Sequence, residues 1–274
     1  MDERVSCKIV DGVADVRLTR PDKINALDPA MFAAIVETGE TLKADRSVRA
    51  VVLSGEGRGF CAGLDFGSFQ AMAGSGGDDA VRPREQGDVA SIGSTDGRIT
   101  HLAQQSAYVW QEIEAPVIAA VHGVALGGGC QIALGADIRI VAPDATFSVL
   151  EIRWGLIPDM TGTAMLPLLV GLDVAKELTF TGRMISGEEA ARIGLATRTS
   201  LTPLDDALAL AAEIAAKSPH AVRGAKRLLN GSPYRTMAEQ FAEERTVIGS
   251  LIGRKNQMEA VTAYFEKRAP SFED

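Results

Sequence analysis

The chain is poor in the features that mark several large protein classes. It has only three cysteines, Cys7, Cys61 and Cys130, far apart and without CxxC spacing. That argues against a disulfide framework and predicts reduced thiols in a cytoplasmic protein. No apolar run is long enough to span a bilayer, so no membrane partner is expected. The opening MDERVSCKIV lacks the basic-then-apolar pattern of a secretion signal. Positive charge is short as well: 28 Lys and Arg stand against 36 Asp and Glu, for a net charge of −8. A broad nucleic-acid surface needs the opposite balance, although a few local cations would suffice for one phosphate group. The three histidines fall in no metal-ligand spacing, so no metal is expected.

What is present is an ordinary globular balance, 46% hydrophobic and 23% charged over 274 residues, enough for a substantial core. Val5 to Val10 and Val13 to Thr19 flank Asp11-Gly12, which predicts a hairpin with a two-residue turn. Asp28-Pro29 predicts a helix start, with Met31, Phe32, Ile35, Val36 and Leu42 at helical spacing behind it. Val48 to Leu53 and Val117 to Val121 are short apolar runs that suit strands buried on both faces, and Ile138 to Val141 and Leu195 to Thr199 are weaker strand candidates. Strands alternating with helical stretches give an α/β architecture with crossover connections. Residues 67–97, with GSGGDD and SIGSTDG, predict a long surface loop. Helical patterns cover 203–217, 219–230, 234–252 and 256–268, so an α/β core over 1–200 and a C-terminal helical oligomerisation region over 201–274 are expected.

Two glycine-rich turns carry the chemistry. His122-Gly-Val-Ala-Leu-Gly-Gly-Gly-Cys-Gln131 follows one buried strand, and Ser54-Gly-Glu-Gly-Arg-Gly-Phe-Cys-Ala-Gly-Leu-Asp65 follows another. Glycines at a strand-to-helix turn let a ligand reach free N–H groups where the helix dipole favours negative charge. Tight helix–strand packing would use the same glycines. The spacing is neither a dinucleotide fingerprint nor a P-loop. Two such turns, each aiming one N–H at the same oxygen, would make an oxyanion hole for a thioester becoming an enolate.

The stretches RPDKINALD (20–28), GRGFCAGLD (57–65), PVIAAVHGVALGGGCQIALGADIRI (116–140), FSVLEIRWGLIPDMTG (147–162), FTGRMISGEEAARIGL (180–195) and TAYFEKRAPSF (262–272) occur in this order. In them the chain resembles the enoyl-CoA hydratase/isomerase, or crotonase, family over nearly its whole length. The resemblance implies a spiral of β-β-α units with a C-terminal helical region, assembled as a homotrimer or homohexamer, and an acyl-CoA thioester as substrate. Coenzyme A would then be part of the substrate, with no separate cofactor. It also implies that the backbone N–H groups of Leu64 and Gly128 are the oxyanion donors. Ala26, Ala62 and Asp65 would hold the pantetheine and adenine portions. Tyr264 and Lys267 would help bind CoA on a neighbouring subunit, although Lys267 also fits a solvated surface lysine.

Family hydratases use two glutamates, and here the matching positions are Gln131 and Glu151. Glutamine can orient a water but is no general acid or base near neutral pH. Asp159, in Gly155-Leu-Ile-Pro-Asp159, matches an aspartate of the family's dienoyl-CoA isomerases, which also carry Asp at the Gln131 position. Asp159 also reads as a helix cap, and His122 as a packed or hydrogen-bonded histidine. The leading expectation is enoyl- or dienoyl-CoA double-bond isomerisation, with Glu151 as base and Asp159 as its partner. The alternatives are trans-2-enoyl-CoA hydration, with Gln131 and Glu151 sharing the water, and a catalytically weak acyl-CoA-binding protein on the same fold.

Overall fold

A hairpin opens the chain in a computed structural model that describes residues 4–65, 67, 95 and 97–274. Strands β1 (Val5–Val10) and β2 (Val13–Leu18) pair antiparallel, with Val10 opposite Val13. Asp11 and Gly12 both take positive φ, 50° and 78°. This is the mirror-image turn whose twist matches that of the strands it joins. Helix α1 (Pro29–Ala44) starts as expected: Asp28 Oδ1 accepts from the Met31 N–H at 2.7 Å, and Pro29 needs no donor there. The loop expected over 67–97 lies, apart from residues 67, 95 and 97, outside the described residues.

The valine-rich runs become the middle of a six-stranded sheet, ordered β1-β2-β3-β4-β6-β9. It uses β3 (Ala50–Gly55), β4 (Val117–Val121), β6 (Ile138–Val141) and β9 (Arg198–Thr199), all parallel after the hairpin. Successive side chains of a strand point to opposite faces, and here both faces are covered. Val51, Leu53, Val117, Ala119 and Val121 join the larger core, which also holds Met31 and Ile35 of α1 and Val109 and Trp110 of α2 (Leu102–Glu112). Ala50, Val52, Ile118, Ala120 and Ile140 face the other way, onto Ala207 and Ala211 of a later helix (Pro203–Ala215). The helical region expected from residue 201 therefore begins as a layer of the core.

A second sheet, β5-β7-β8, is built from Val124–Leu126, Thr146–Ser148 and Ile185–Ser186. Only His122 and Gly123 separate β4 from β5, so the chain leaves the large sheet and enters the small one within two residues. Helix α3 (Gly128–Leu134) follows β5, and a short 3-10 turn (Leu150–Trp154) follows β7. Then come α4 (Gly162–Val170), α5 (Leu172–Thr181) and α6 (Gly187–Arg192). The sheet-covering helix 203–215 is α7, and α8 (Pro219–Gly231), α9 (Met237–Leu251) and α10 (Lys255–Glu266) complete the described order.

One buried cation fastens α8 to the core. Lys226 donates to the carbonyls of Trp110 (3.0 Å) and Ala115 (3.1 Å) and pairs with Asp137 at 2.7 Å. Asp137 in turn accepts from the Val117 N–H at the start of β4. Burial pushes the Lys226 pKa down, and the Asp137 charge opposes that shift.

Candidate active site

The first glycine-rich turn is held between two neighbours. On one side Ala62 N donates to Ile24 O, Leu27 N to Gly63 O and Asp65 N to Leu27 O, at 2.8–2.9 Å. On the other side Cys61 N donates to Val124 O and Leu126 N to Cys61 O. Isolated parallel bridges Leu27–Leu64 and Cys61–Ala125 thus continue the small sheet through 61–65 to 24–27. Asn25 locks this arrangement. Its carboxamide donates to the Glu56, Gly59 and Phe60 carbonyls and accepts from Arg20 N, and its backbone is left-handed (φ 55°). Arg20 adds a charged clasp, donating to Ala26 O at 3.2 Å and to Asp65 Oδ2 at 2.8 Å.

The second glycine turn packs directly against the first. A Cβ on Gly63 would sit 2.5 Å from Leu126 O and 3.7 Å from Gly128 N, so the two backbones touch. The adjacent glycines answer different demands. Gly127 takes φ 52°, ψ −121°, a conformation that side chains resist. A side chain on Gly129 would meet Cys61 O at 2.4 Å, so this position has no room for one. Gly128 opens α3, where a helix N–H has no intrahelical acceptor. Neither the Leu64 N–H nor the Gly128 N–H has an acceptor among the described residues.

Glu151 stands on the 3-10 turn, with Oε1 3.3 Å from the Cβ position of Gly127. Its Oε1 accepts from Gln131 Nε2 at 2.7 Å. Its Oε2 is buried and has no partner among the described residues. Burial pushes its pKa up and the Asp159 charge adds to the rise, while the Gln131 bond opposes it. Gln131 itself is 0% exposed. Its Oε1 accepts from Met160 N (2.8 Å) and Gly162 N (2.9 Å), which fixes the carboxamide's orientation, because both neighbours are donors. Between those amides Thr161 is left-handed (φ 76°), unusual for a β-branched residue, and its buried hydroxyl has no partner among the described residues. Asp159 is exposed and is not the cap of α4, whose N-cap is Thr161, without a side-chain cap bond. Among the described residues no group of three or more histidine, cysteine, aspartate or glutamate side chains could hold a metal ion.

The profile of the family described as enoyl-CoA hydratase/isomerase matches residues 8–274. The chain belongs to that family. The short-chain-enoyl-CoA hydratase of Clostridium acetobutylicum is 34% identical over 260 residues, covering 93% of this chain and 92% of that protein. The mitochondrial Delta(3,5)-Delta(2,4)-dienoyl-CoA isomerase of Pongo abelii is 35% identical over 260 residues, covering 93% and 77%. Among solved structures, enoyl-CoA hydratase from Bacillus anthracis superposes with a TM-score of 0.84 at 29% identity, covering 98% of each chain.

Within this crotonase fold, Ala26, Ala62, Leu64, Asp65, Gly128, Gln131 and Glu151 fall on segments in direct contact. Asp159 is within electrostatic reach of Glu151. Tyr264 and Lys267, at the end of α10, are exposed, and Lys267 closes that helix in a left-handed conformation (φ 56°). His122 is hydrogen-bonded, its Nε2 lying 2.9 Å from Gly57 O. The sequence reading did not assign Arg20, Asn25, Met160, Thr161 or Gly162, although each stands inside a stretch that carries the resemblance. Nothing in the order of residues signals their shared work, which is to hold other residues in place.

Proposed function

We propose that this crotonase moves a carbon–carbon double bond in an enoyl- or dienoyl-CoA thioester through an enolate. The thioester oxygen binds the Leu64 and Gly128 N–H groups, whose turns touch and whose amides have no other acceptor among the described residues. Glu151 Oε2 removes a proton from the carbon next to the thioester, and negative charge passes to the oxygen held by those two amides. Asp159 delivers a proton further along the chain, and the double bond shifts with no net gain or loss of atoms. Ala26, Ala62 and Asp65 line the path of the CoA portion through the paired segments 24–27 and 62–65. Tyr264 and Lys267 serve CoA bound by a neighbouring copy in a homotrimer or homohexamer.

The observation that carries this reading is the state of Gln131. Hydration by a pair of groups needs both open to a water, and Gln131 is fully buried with its oxygen taken by two backbone amides. A buried carboxyl with raised pKa suits proton transfer near neutral pH. Hydration is the second reading, favoured by relatives named as enoyl-CoA hydratases.

The test offers 2-enoyl-, 3-enoyl- and 3,5-dienoyl-CoA to the purified protein while the conjugated chromophore is followed. Isomerisation of a 3-enoyl or dienoyl ester is expected. Asp159→Asn should lower dienoyl turnover by about 10²-fold or more if Asp159 is the second proton-transfer group. Turnover of 2-enoyl-CoA alone, insensitive to Asp159→Asn, would assign hydration instead.

A further inference from the structure

Gln131 occupies the place where a second acid/base group is expected, yet its bonds all run inward. Its oxygen bridges two amides of the turn 159–162, and its nitrogen holds one oxygen of Glu151. The turn it bridges is strained at Thr161, and Gly162 is the residue that lets the bridge close: a Cβ there would meet Gln131 Oε1 at 2.7 Å. Strained turns persist where their surroundings over-determine them. The carboxamide thus joins three elements, α3, the 3-10 turn and the entry to α4.

We propose that Gln131 is a positioning residue, which ties up Glu151 Oε1, leaves Oε2 as the single proton-transfer atom, and sets the turn bearing Asp159 against it. The proposal rests on Glu151 being the acid/base, as argued above, but concerns how its proton affinity and direction are set. Burial and the Asp159 charge oppose the carboxylate, while Glu151's own backbone N–H and the hydrogen bond from Gln131 favour it. Gln131 therefore adds to the pull that holds the Glu151 pKa down against burial. The other titratable group whose field couples to Glu151 is the buried Cys130 thiol on α3. Arg153 on the same turn, and Asp173, Lys176 and Glu177 on α5, which packs against that turn, form no ion pair with it.

Two near-isosteric changes test this. Gln131→Glu keeps an oxygen for the Met160 and Gly162 amides but turns the donor toward Glu151 into a second carboxyl. Gly162→Ala wedges the bridge without adding or removing a titrating group. Glu151 titration is read in ligand-free protein from the carboxylate infrared band, by difference against Glu151→Gln. In Gln131→Glu the midpoint should rise by roughly one unit or more, because a like charge replaces a donor. In Gly162→Ala it should also move. In both, kcat should fall about tenfold or more while KM stays within about twofold, the split expected when only proton transfer is affected. If Gln131→Glu does not fold, Gly162→Ala carries the same test. An unmoved midpoint, or faster hydration of 2-enoyl-CoA by Gln131→Glu, overturns the proposal. The infrared reading needs no substrate. A protein that turns over none of the three esters yet shows the moved midpoint would remove the isomerase reading and leave Gln131 as the group that sets the proton affinity of Glu151.

Discussion

Glu151 shows how one side chain carries a cost that only function explains. Its Oε2 is buried without a partner among the described residues, and burial raises its pKa. A carboxyl of this kind binds its proton more tightly folded than unfolded. Across the window from the ordinary glutamate range up to the raised value, the folded chain holds more protons. Stability therefore falls as pH climbs through that window. Glu151→Gln removes the charge and keeps an oxygen for Gln131 Nε2. We expect the variant to melt above the parent at pH 8, with the difference closing in acid below the window. Thermal melts across pH check this, and a variant melting lower at pH 8 would contradict it. In activity the same change should abolish turnover while leaving CoA-ester affinity nearly intact. Glu151 and Gln131 could be picked out in the sequence because they sit in recognisable stretches. What Gln131 does could not, because its partners Met160 and Gly162 lie 29 and 31 residues away and bond through backbone atoms.

At the scale of elements, local rules worked wherever local forces decide. The Asp11-Gly12 turn, the Asp28 cap and the doubly buried strands β3 and β4 follow from neighbouring residues, and they form at or near the expected positions. The 3-10 turn bearing Glu151 gave no such signal. Leu150–Trp154 is too short to show a period, and its register comes from packing against α5. The Lys226 anchor was equally invisible, since a lysine in an amphipathic helix reads as solvated. Lys226→Ala would leave Asp137 charged and half-buried and two carbonyls without their donor. It should destabilise the chain by about 3–5 kcal/mol. Lys226→Met, which keeps the apolar stem, should cost measurably less, and urea unfolding of the two variants separates lost charge pairing from lost packing. Equal losses would mean that charge pairing alone, and not the packing of the lysine stem, joins α8 to the core.

The whole molecule presents apolar surface that a lone chain leaves wet. Tyr234, Met237, Phe241, Ile248 and Ile252 are all exposed along the C-terminal helical region, and unpaired apolar surface of this kind marks association sites. A homotrimer or homohexamer is the assembly we expect. Sedimentation velocity should show one of these at micromolar concentration, and Phe241→Glu with Ile248→Glu should shift the population toward monomer. A parent that sediments as a monomer would refute it. No helix among the described residues is long and apolar enough to cross a membrane.

The bridges that build the site join distant stretches: Leu27 with Leu64, Cys61 with Ala125, Gln131 with Met160 and Gly162. Each closure costs chain entropy before any contact rewards it. No fragment ending before residue 162 has every partner the site needs, and a chain still missing one of these pairings lacks either the oriented pair of amides or the clamped carboxylate. The site therefore has no half-built version. Heat, a destabilising substitution or incomplete synthesis should reduce the number of working molecules and leave the specificity of the survivors untouched.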